Sequence, residues 1–250
     1  MNSLFYFQSI HNKTVNSKVV LLNRFNNMRK SIFLFFIAFT ISSFAQKDSL
    51  QIGDHYSEDQ LYIVISYNQL FNQPNQVKGS GFSYGLSSGF IKDVILNKQG
   101  SFSLGLGLGY SYDTFNHGLK VSEINNQVTF EVDNSLTSNE LSIHNLEIPL
   151  ELRWRSSDAN TYRFWRVYAG IKTSYNVSNT FKYNNGVDSF TFRNVSRFNK
   201  WQTGLTLSVG YDAFTAHVYY GLTPILKDAS VGTTDISTKI VRIGLIFYLL

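Results

Sequence analysis

Residues 102 to 112 read Phe-Ser-Leu-Gly-Leu-Gly-Leu-Gly-Tyr-Ser-Tyr. Every even position is large and apolar or aromatic, and every odd position is Gly or Ser. A faultless period of two is the pattern of a β-strand, because successive side chains leave opposite faces. Three glycines in one strand give up conformational entropy and contribute no packing of their own. Such a run makes sense where the glycine face is crowded, and the inside of a small closed barrel is crowded in this way. The spacing Gly105-x-Gly107-x-Gly109 lacks the third glycine of a dinucleotide-binding turn, and no helical pattern follows it.

Outward from this stretch the same alternation recurs. A first strand is predicted over 61–71 with its odd positions as the greasy face, and a second over about 81–96 with Phe82, Tyr84, Leu86 and Phe90 against Gly and Ser. Asn97 to Gly100 is a tight turn into the central stretch. A long polar excursion to about Asn139 precedes a strand over 141–155, where Leu146, Ile148, Leu150, Leu152 and Trp154 alternate with polar residues, charged ones prominent among them. After a short turn at 156–161, a fifth strand begins near Trp165. A second excursion, 178–200, holds the hairpin signal Asn184-Asn185-Gly186. Strands over 201–211 and 214–222 flank an immediate turn at Asp212-Ala213, and a last strand occupies 239–250. Long and short connections alternate, which predicts an all-β, eight-stranded, antiparallel up-and-down transmembrane barrel with both termini on the short-turn side.

The chain carries 22 basic and 17 acidic residues and no cysteine. Lys13, Lys18, Arg24, Arg29 and Lys30 precede residue 46 and no acid does, so the remainder is balanced at 17 against 17. The basic excess therefore belongs to a leader and gives no reason to invoke nucleic acid. Met28-Arg29-Lys30, the apolar run 31–44 and Ser43-Phe44-Ala45 have the parts of a cleaved export signal. The apolar run, at about 14 residues, is shorter than the roughly 20 that a spanning helix needs. We expect residues 1–27 to be an upstream extension absent from the mature protein, 28–45 a signal peptide, 46–60 a flexible periplasmic tail and 61–250 the barrel. An exported chain without cysteine has no disulfides and relies on its core or a closed sheet.

Which face meets lipid decides the reading. A soluble lipocalin-type barrel turns its apolar face inward and needs a charged exterior. Here the polar face is mostly Gly and Ser, while aromatics gather near the strand ends: Trp154, Trp165 and Tyr211 at one end, Tyr84, Tyr112, Tyr175 and Trp201 at the other. Two girdles suit two membrane interfaces. The apolar face is thus predicted to face outer-membrane lipid. Arg242-x-Gly244-x-x-Phe247-x-Leu249 is similar to the terminal signature by which barrel-insertion machinery recognises its clients.

With that orientation Glu147, Glu151, Arg153, Arg155, Arg166 and Lys172 point into the lumen as an ionic network, with Glu151 near Arg166 and a bulge at Pro149. Eight strands leave a lumen filled by side chains rather than a pore. His55, His117, His144 and His217 are not paired by sequence with a serine, an acid or a second histidine at catalytic or metal-ligand spacing, so no catalytic residue, metal or cofactor is assigned. The outer loops offer Phe181, Tyr183, Phe190, Phe192, Arg193 and Arg197 as contact residues.

Asn145-Leu-Glu-Ile-Pro-Leu-Glu-Leu-Arg-Trp-Arg155 and Phe164-Trp-Arg-Val-Tyr-Ala-Gly-Ile-Lys172 resemble the PorT family of porin-like outer-membrane barrels of Bacteroidetes, as do Ala45-Gln46 and the terminal Gly244-Leu-Ile-Phe-Tyr-Leu. The resemblance implies a non-enzymatic accessory component of type IX secretion and gliding motility, with other secretion-system proteins as partners. The alternative reading is a stand-alone small barrel of adhesion or minor-porin type.

Overall fold

The computed structural model describes residues 60–74, 77, 81–124, 127–133, 135–156 and 165–249. The leader, signal-peptide and tail readings over 1–59, and most of the turn after Arg155, lie outside the described residues. Eight long strands build the wall: β1 (Gln60–Phe71), β2 (Tyr84–Ile95), β3 (Phe102–Asn116), β6 (Ser138–Arg155), β7 (Trp165–Asn184), β9 (Trp201–Tyr211), β10 (Phe214–Gly221) and β13 (Lys239–Leu249). Between them lie β4 (Leu119–Ile124), β5 (Gln127–Val132), β8 (Ser189–Arg193), β11 (Ser230–Val231) and β12 (Thr234–Asp235). Each wall strand pairs antiparallel with its neighbour in the order β6-β3-β2-β1-β13-β10-β9-β7, and β6 pairs with β7 to close the ring. Closure leaves the wall without a free edge over its spanning part, the condition for a sheet to sit in hydrocarbon.

The two faces divide as the alternation demands. Leu104, Leu106 and Leu108 are 38%, 56% and 69% exposed on the outside, whereas Ser103 and Ser111 are buried inside. The glycines of β3 make room for inward side chains of neighbouring strands. A Cβ at Gly109 would run into the Tyr62 hydroxyl, and one at Gly105 would lie 2.9 Å from Arg153 Nε. The conformational entropy lost at these glycines is thus tied to large lumenal groups placed opposite them.

Both termini of the wall, the connections 96–101 and 212–213, and the facing ends of β6 and β7 at Arg155 and Trp165 lie at one end, which the barrel rule assigns to the periplasm. At Asn97–Gly100 the Gly100 N–H donates to Asn97 O at 3.1 Å and Gly100 adopts φ 72°, where a side chain would be strained. Phe102, Trp154, Trp165 and Tyr211 ring the outside at this end, with Trp165 and Tyr211 centroids 5.3 Å apart. At the other end Tyr84 and Tyr112 lie 6.5 Å apart, and Tyr175 and Trp201 4.9 Å. From Trp165 to Tyr175 the strand climbs about 25 Å at the usual tilt, close to the apolar band of outer-membrane barrels.

Three expectations change. The excursion before Asn139 is ordered: β3 runs on to Asn116, and β4 and β5 form a hairpin whose Leu119, Val121 and Phe130 are buried. Pro149 brings no bulge, because β6 keeps one register with β7 through the Pro149↔Lys172 pair, and the irregularity falls at His144/Asn145. Proline lacks only a donor, and the β3 pairing resumes in the same register at Gly109↔Glu147. Gln60, assigned to the tail, is the first residue of β1 and is buried.

Two substitutions test the orientation. Leu106→Arg, at mid-bilayer depth, is expected to destabilise the barrel by about 2–4 kcal/mol. Gly109→Val, which collides with Tyr62, is expected to cost about 1–3 kcal/mol by overpacking. Urea titration of protein folded into phospholipid vesicles measures both, and a negligible effect of Leu106→Arg is incompatible with a lipid-facing strand.

Candidate functional site: a filled lumen beneath an extracellular head

Two charged layers fill the barrel. In the lower one Arg153 is the hub. It is 1% exposed, donates from Nη1 to Asp93 Oδ1 at 2.8 Å and from Nε to Glu151 Oε2 at 3.0 Å, and sets its guanidinium 4.5 Å from the centroid of Tyr168. Ser103 Oγ donates to the other Asp93 oxygen at 3.0 Å. Arg155 donates from Nε to Gly100 O at 2.8 Å, closing the floor over the turn. Arg166, half-buried, has its guanidinium 5.8 Å from the ring centroid of Tyr248.

Above this layer Tyr62, Val64, Ile91 and Ile246 make a small apolar plug. The upper charged layer centres on Glu147, which is fully buried. Arg242 Nη1 donates to Glu147 Oε1 at 2.8 Å, and Lys172 Nζ lies 3.0 Å from Glu147 Oε2. Arg242 Nη2 also lies 2.8 Å from Asp113 Oδ2, and Asn68 Nδ2 donates to Asp113 Oδ1 at 2.9 Å. Two acids and two bases thus neutralise one another across β3, β6, β7 and β13. Charges taken from water this completely persist only when paired and hydrogen-bonded.

Of the six lumenal residues picked from the alternation, Glu147 and Lys172 belong to the upper layer, and Glu151, Arg153, Arg155 and Arg166 to the lower. The expected approach of Glu151 to Arg166 does not occur: the register sets Glu151 opposite Gly170 and Arg166 opposite Arg155, and Glu151 pairs with Arg153. The register of β6 with β7 is centred about two residues further along the chain than a turn at 156–161 assumes. Asp93, Asp113 and Arg242 complete the network and were missed, although each falls on the inward phase of its own strand. Their alternation was the available signal.

The histidines acquire partners that the chain order does not reveal. Ser208 Oγ and His217 Nδ1 are 2.8 Å apart, but both side chains are buried among the lumenal groups, with no surface from which a substrate reaches the hydroxyl. His144 Nδ1 lies 2.5 Å from Tyr110 OH in the outer aromatic belt. Among the described residues no group of three His, Asp or Glu side chains could hold a metal ion.

On the extracellular side the wall rises past the outer belt into a head with its own apolar core, including Phe115, Leu119, Val121, Phe130, Leu141, Ile143, Phe181, Phe198, Leu226 and Ile236. β6, β7 and β8 carry the sheet upward, and the β4–β5 hairpin packs on its inner face. Of the proposed loop contacts, Phe181 and Tyr183 are buried at 1% and 5% and cannot meet a partner, since inward phase in the head leads to its core. Phe190, Arg193 and Arg197 are exposed, and Phe192 is partly so. The hairpin tip is held by Asn184 and Asn185: Asn184 Oδ1 accepts the Gly186 N–H at 2.6 Å and Asn185 Oδ1 the Asp188 N–H at 2.7 Å.

His117 lines a cavity of about 20 Å³ in the head, with Leu70, Leu141 and Phe181 among its neighbours, room for about one water. Its Nδ1 accepts the Leu119 N–H at 3.1 Å, so the neutral ring carries its proton on Nε2. Burial alone pushes its pKa down from 6.5 to about 4. The unfolded head therefore binds more protons than the folded one between those values, and stability present above pH 6.5 is lost as pH falls toward 4, by about 3 kcal/mol. Amide protection factors in the β4–β5 hairpin, referred to the intrinsic exchange rate at each pH, are expected to fall over that interval in the native protein and to be flat in His117→Phe. In the lumen, Glu147→Leu strands Lys172 and leaves Arg242 with Asp113 alone, and is expected to cost about 3–5 kcal/mol in urea titrations, with less lost when Lys172→Met accompanies it.

A family model described as outer membrane protein beta-barrel domain matches residues 44–227. Among solved structures, the crystal structure of Ail, the attachment invasion locus protein of Yersinia pestis, is 14% identical, with a TM-score of 0.32 and coverage of 76% of this chain and 98% of that one. The same protein in complex with the heparin analogue sucrose octasulfate gives the same values. No curated protein sequence matches the chain. The closed wall with its outward apolar face, together with a family match over well over half its length, places the chain in the outer membrane as a member of the outer membrane protein β-barrel domain family.

Proposed function

We infer that this protein is a non-conducting, non-enzymatic barrel whose work is done by its extracellular head, as a stand-alone surface-binding protein of adhesion type. The observation that carries the reading is the contrast between the two halves. The lumen is filled by paired charges and by an apolar plug, while β6 and β7 reach 18 and 20 residues and lift a separately cored head above the belt. A strand needs only about 9–11 residues to cross the bilayer. The surplus length builds surface, not a channel.

The secretion-accessory role implied by the PorT resemblance rests on two strings, and barrel architecture accounts for both. In Asn145–Arg155 and Trp165–Lys172 the exposed apolar residues Leu146, Ile148, Leu150, Leu152, Trp165 and Ile171 are wall, and the buried charges are lumen filling. Neither string presents a surface to another protein outside the bilayer. A deletion strain separates the two readings. Under the surface-binding reading, attachment to surfaces declines while export of proteins with type IX C-terminal domains continues. Lost export with intact attachment would favour the secretion role. In planar bilayers the purified protein is expected to carry no steady ohmic current, and such a current would overturn the filled-lumen reading.

A further inference from the structure

Among the described residues β8 ends the sheet, pairing with β7 on one side only. Its register shows which backbone groups look outward. Asn185 N–H donates to Asp188 O and Asn194 N–H to Asn179 O, which makes 185:188 and 179:194 hydrogen-bonded pairs. Alternation then assigns Phe190 and Phe192 to the bonds with β7, leaving the N–H and C=O of Ser189, Thr191 and Arg193 on the free edge. Such an edge is a template for another strand. On the inner face of this edge Phe190 and Phe192 stack on Tyr183 at 5.0 and 6.1 Å, and Phe190 remains 39% exposed. On the outer face stands Arg193, with Lys182 on the neighbouring strand and Glu140 opposite Lys182 on β6, so two bases stand against one acid there.

We propose that the free edge of β8 binds an extended, net-acidic polypeptide of another protein as an added strand, its apolar residues packing on Phe190 and Phe192 and its carboxylates facing Arg193 and Lys182. Main-chain bonds would supply affinity and the alternating side chains specificity. A second copy in the same membrane does not fit. Copies sharing a bilayer are related by an axis along its normal, so their β8 edges would run parallel, and two copies of the same edge turned by such a two-fold cannot form a regular parallel ladder, which joins unlike edges. The proposal deepens the surface-binding reading and rests on it.

The probe is a synthetic eight-residue peptide alternating Val with Glu, titrated against the full-length protein in detergent micelles, with a Val/Lys peptide as its counterpart. The Val/Glu peptide is expected to bind at least tenfold more tightly than the Val/Lys one and to slow amide exchange at Thr191 and Arg193. Thr191→Pro removes an outward N–H without touching the bonds to β7 and is expected to weaken binding at least tenfold. Should that variant misfold, a Val/Glu peptide N-methylated at every second residue makes the same test on the unaltered protein. Equal binding of the two charge types, undiminished binding by Thr191→Pro or by the methylated peptide, or protection confined to other amides would overturn the proposal. Peptide affinity in micelles fails if the edge is idle, whereas cell attachment fails if the head is not the working part, so the two readings fall separately.

Discussion

A backbone in hydrocarbon has no water to satisfy its N–H and C=O groups, so every strand of the wall must be paired on both sides. The pairing of β6 with β7 meets that constraint by closing the ring. Once the ring is closed, each strand has an outside that lipid solvates and an inside that only side chains can fill. Leucine and isoleucine go outward because the bilayer is apolar, and everything unsuited to lipid is confined to a narrow cylinder. The lumenal chemistry of this protein follows from that confinement.

The cylinder is crowded, and its contents are arranged in layers with reciprocal sizes. Gly89 and Gly109 leave the space that Tyr62 occupies, and Gly105 leaves the space for the stem of Arg153. Charges accumulate there because a small barrel has few places to put polar residues away from lipid, and the buried acids are each held by a base. Such a network gives little net stability compared with an apolar filling, yet it penalises any slip of register that would separate its members. The apolar cluster of Tyr62, Val64, Ile91 and Ile246 takes up part of the same cylinder.

Above the outer belt the solvent changes and the same alternation acquires the opposite sense. Water now surrounds the sheet, so Phe181, on the inward phase of β7, forms a conventional core with the β4–β5 hairpin and Tyr183 is buried against Phe190 and Phe192, while Thr180 and Lys182 face out. The irregularity at His144/Asn145, beside the tyrosine belt, lies where one regime gives way to the other. β8, outside the closed ring, is the one strand of the large sheet among the described residues with a free edge, and water makes that edge tolerable.

The order and number of wall strands, the face each turns to lipid and the position of the aromatic belts were all written in residues such as Leu104 to Tyr112 and Leu146 to Trp154. Period two is a local property, and a bilayer leaves only one way to orient it. What the chain order could not disclose is which inward residues meet. Arg153 and Asp93 are 60 residues apart, and Arg242 and Glu147 are 95. Ser208 finds His217 only because β9 and β10 pair in one particular register. Facing is set by each strand alone, whereas contact across a lumen depends on how far successive strands are staggered when the ring closes, a quantity no single strand contains. The β4–β5 hairpin escaped notice for a related reason. Its alternation over Leu119 to Val132 is interrupted by polar residues, and its apolar positions gain meaning only from the sheet above the belt that they cover.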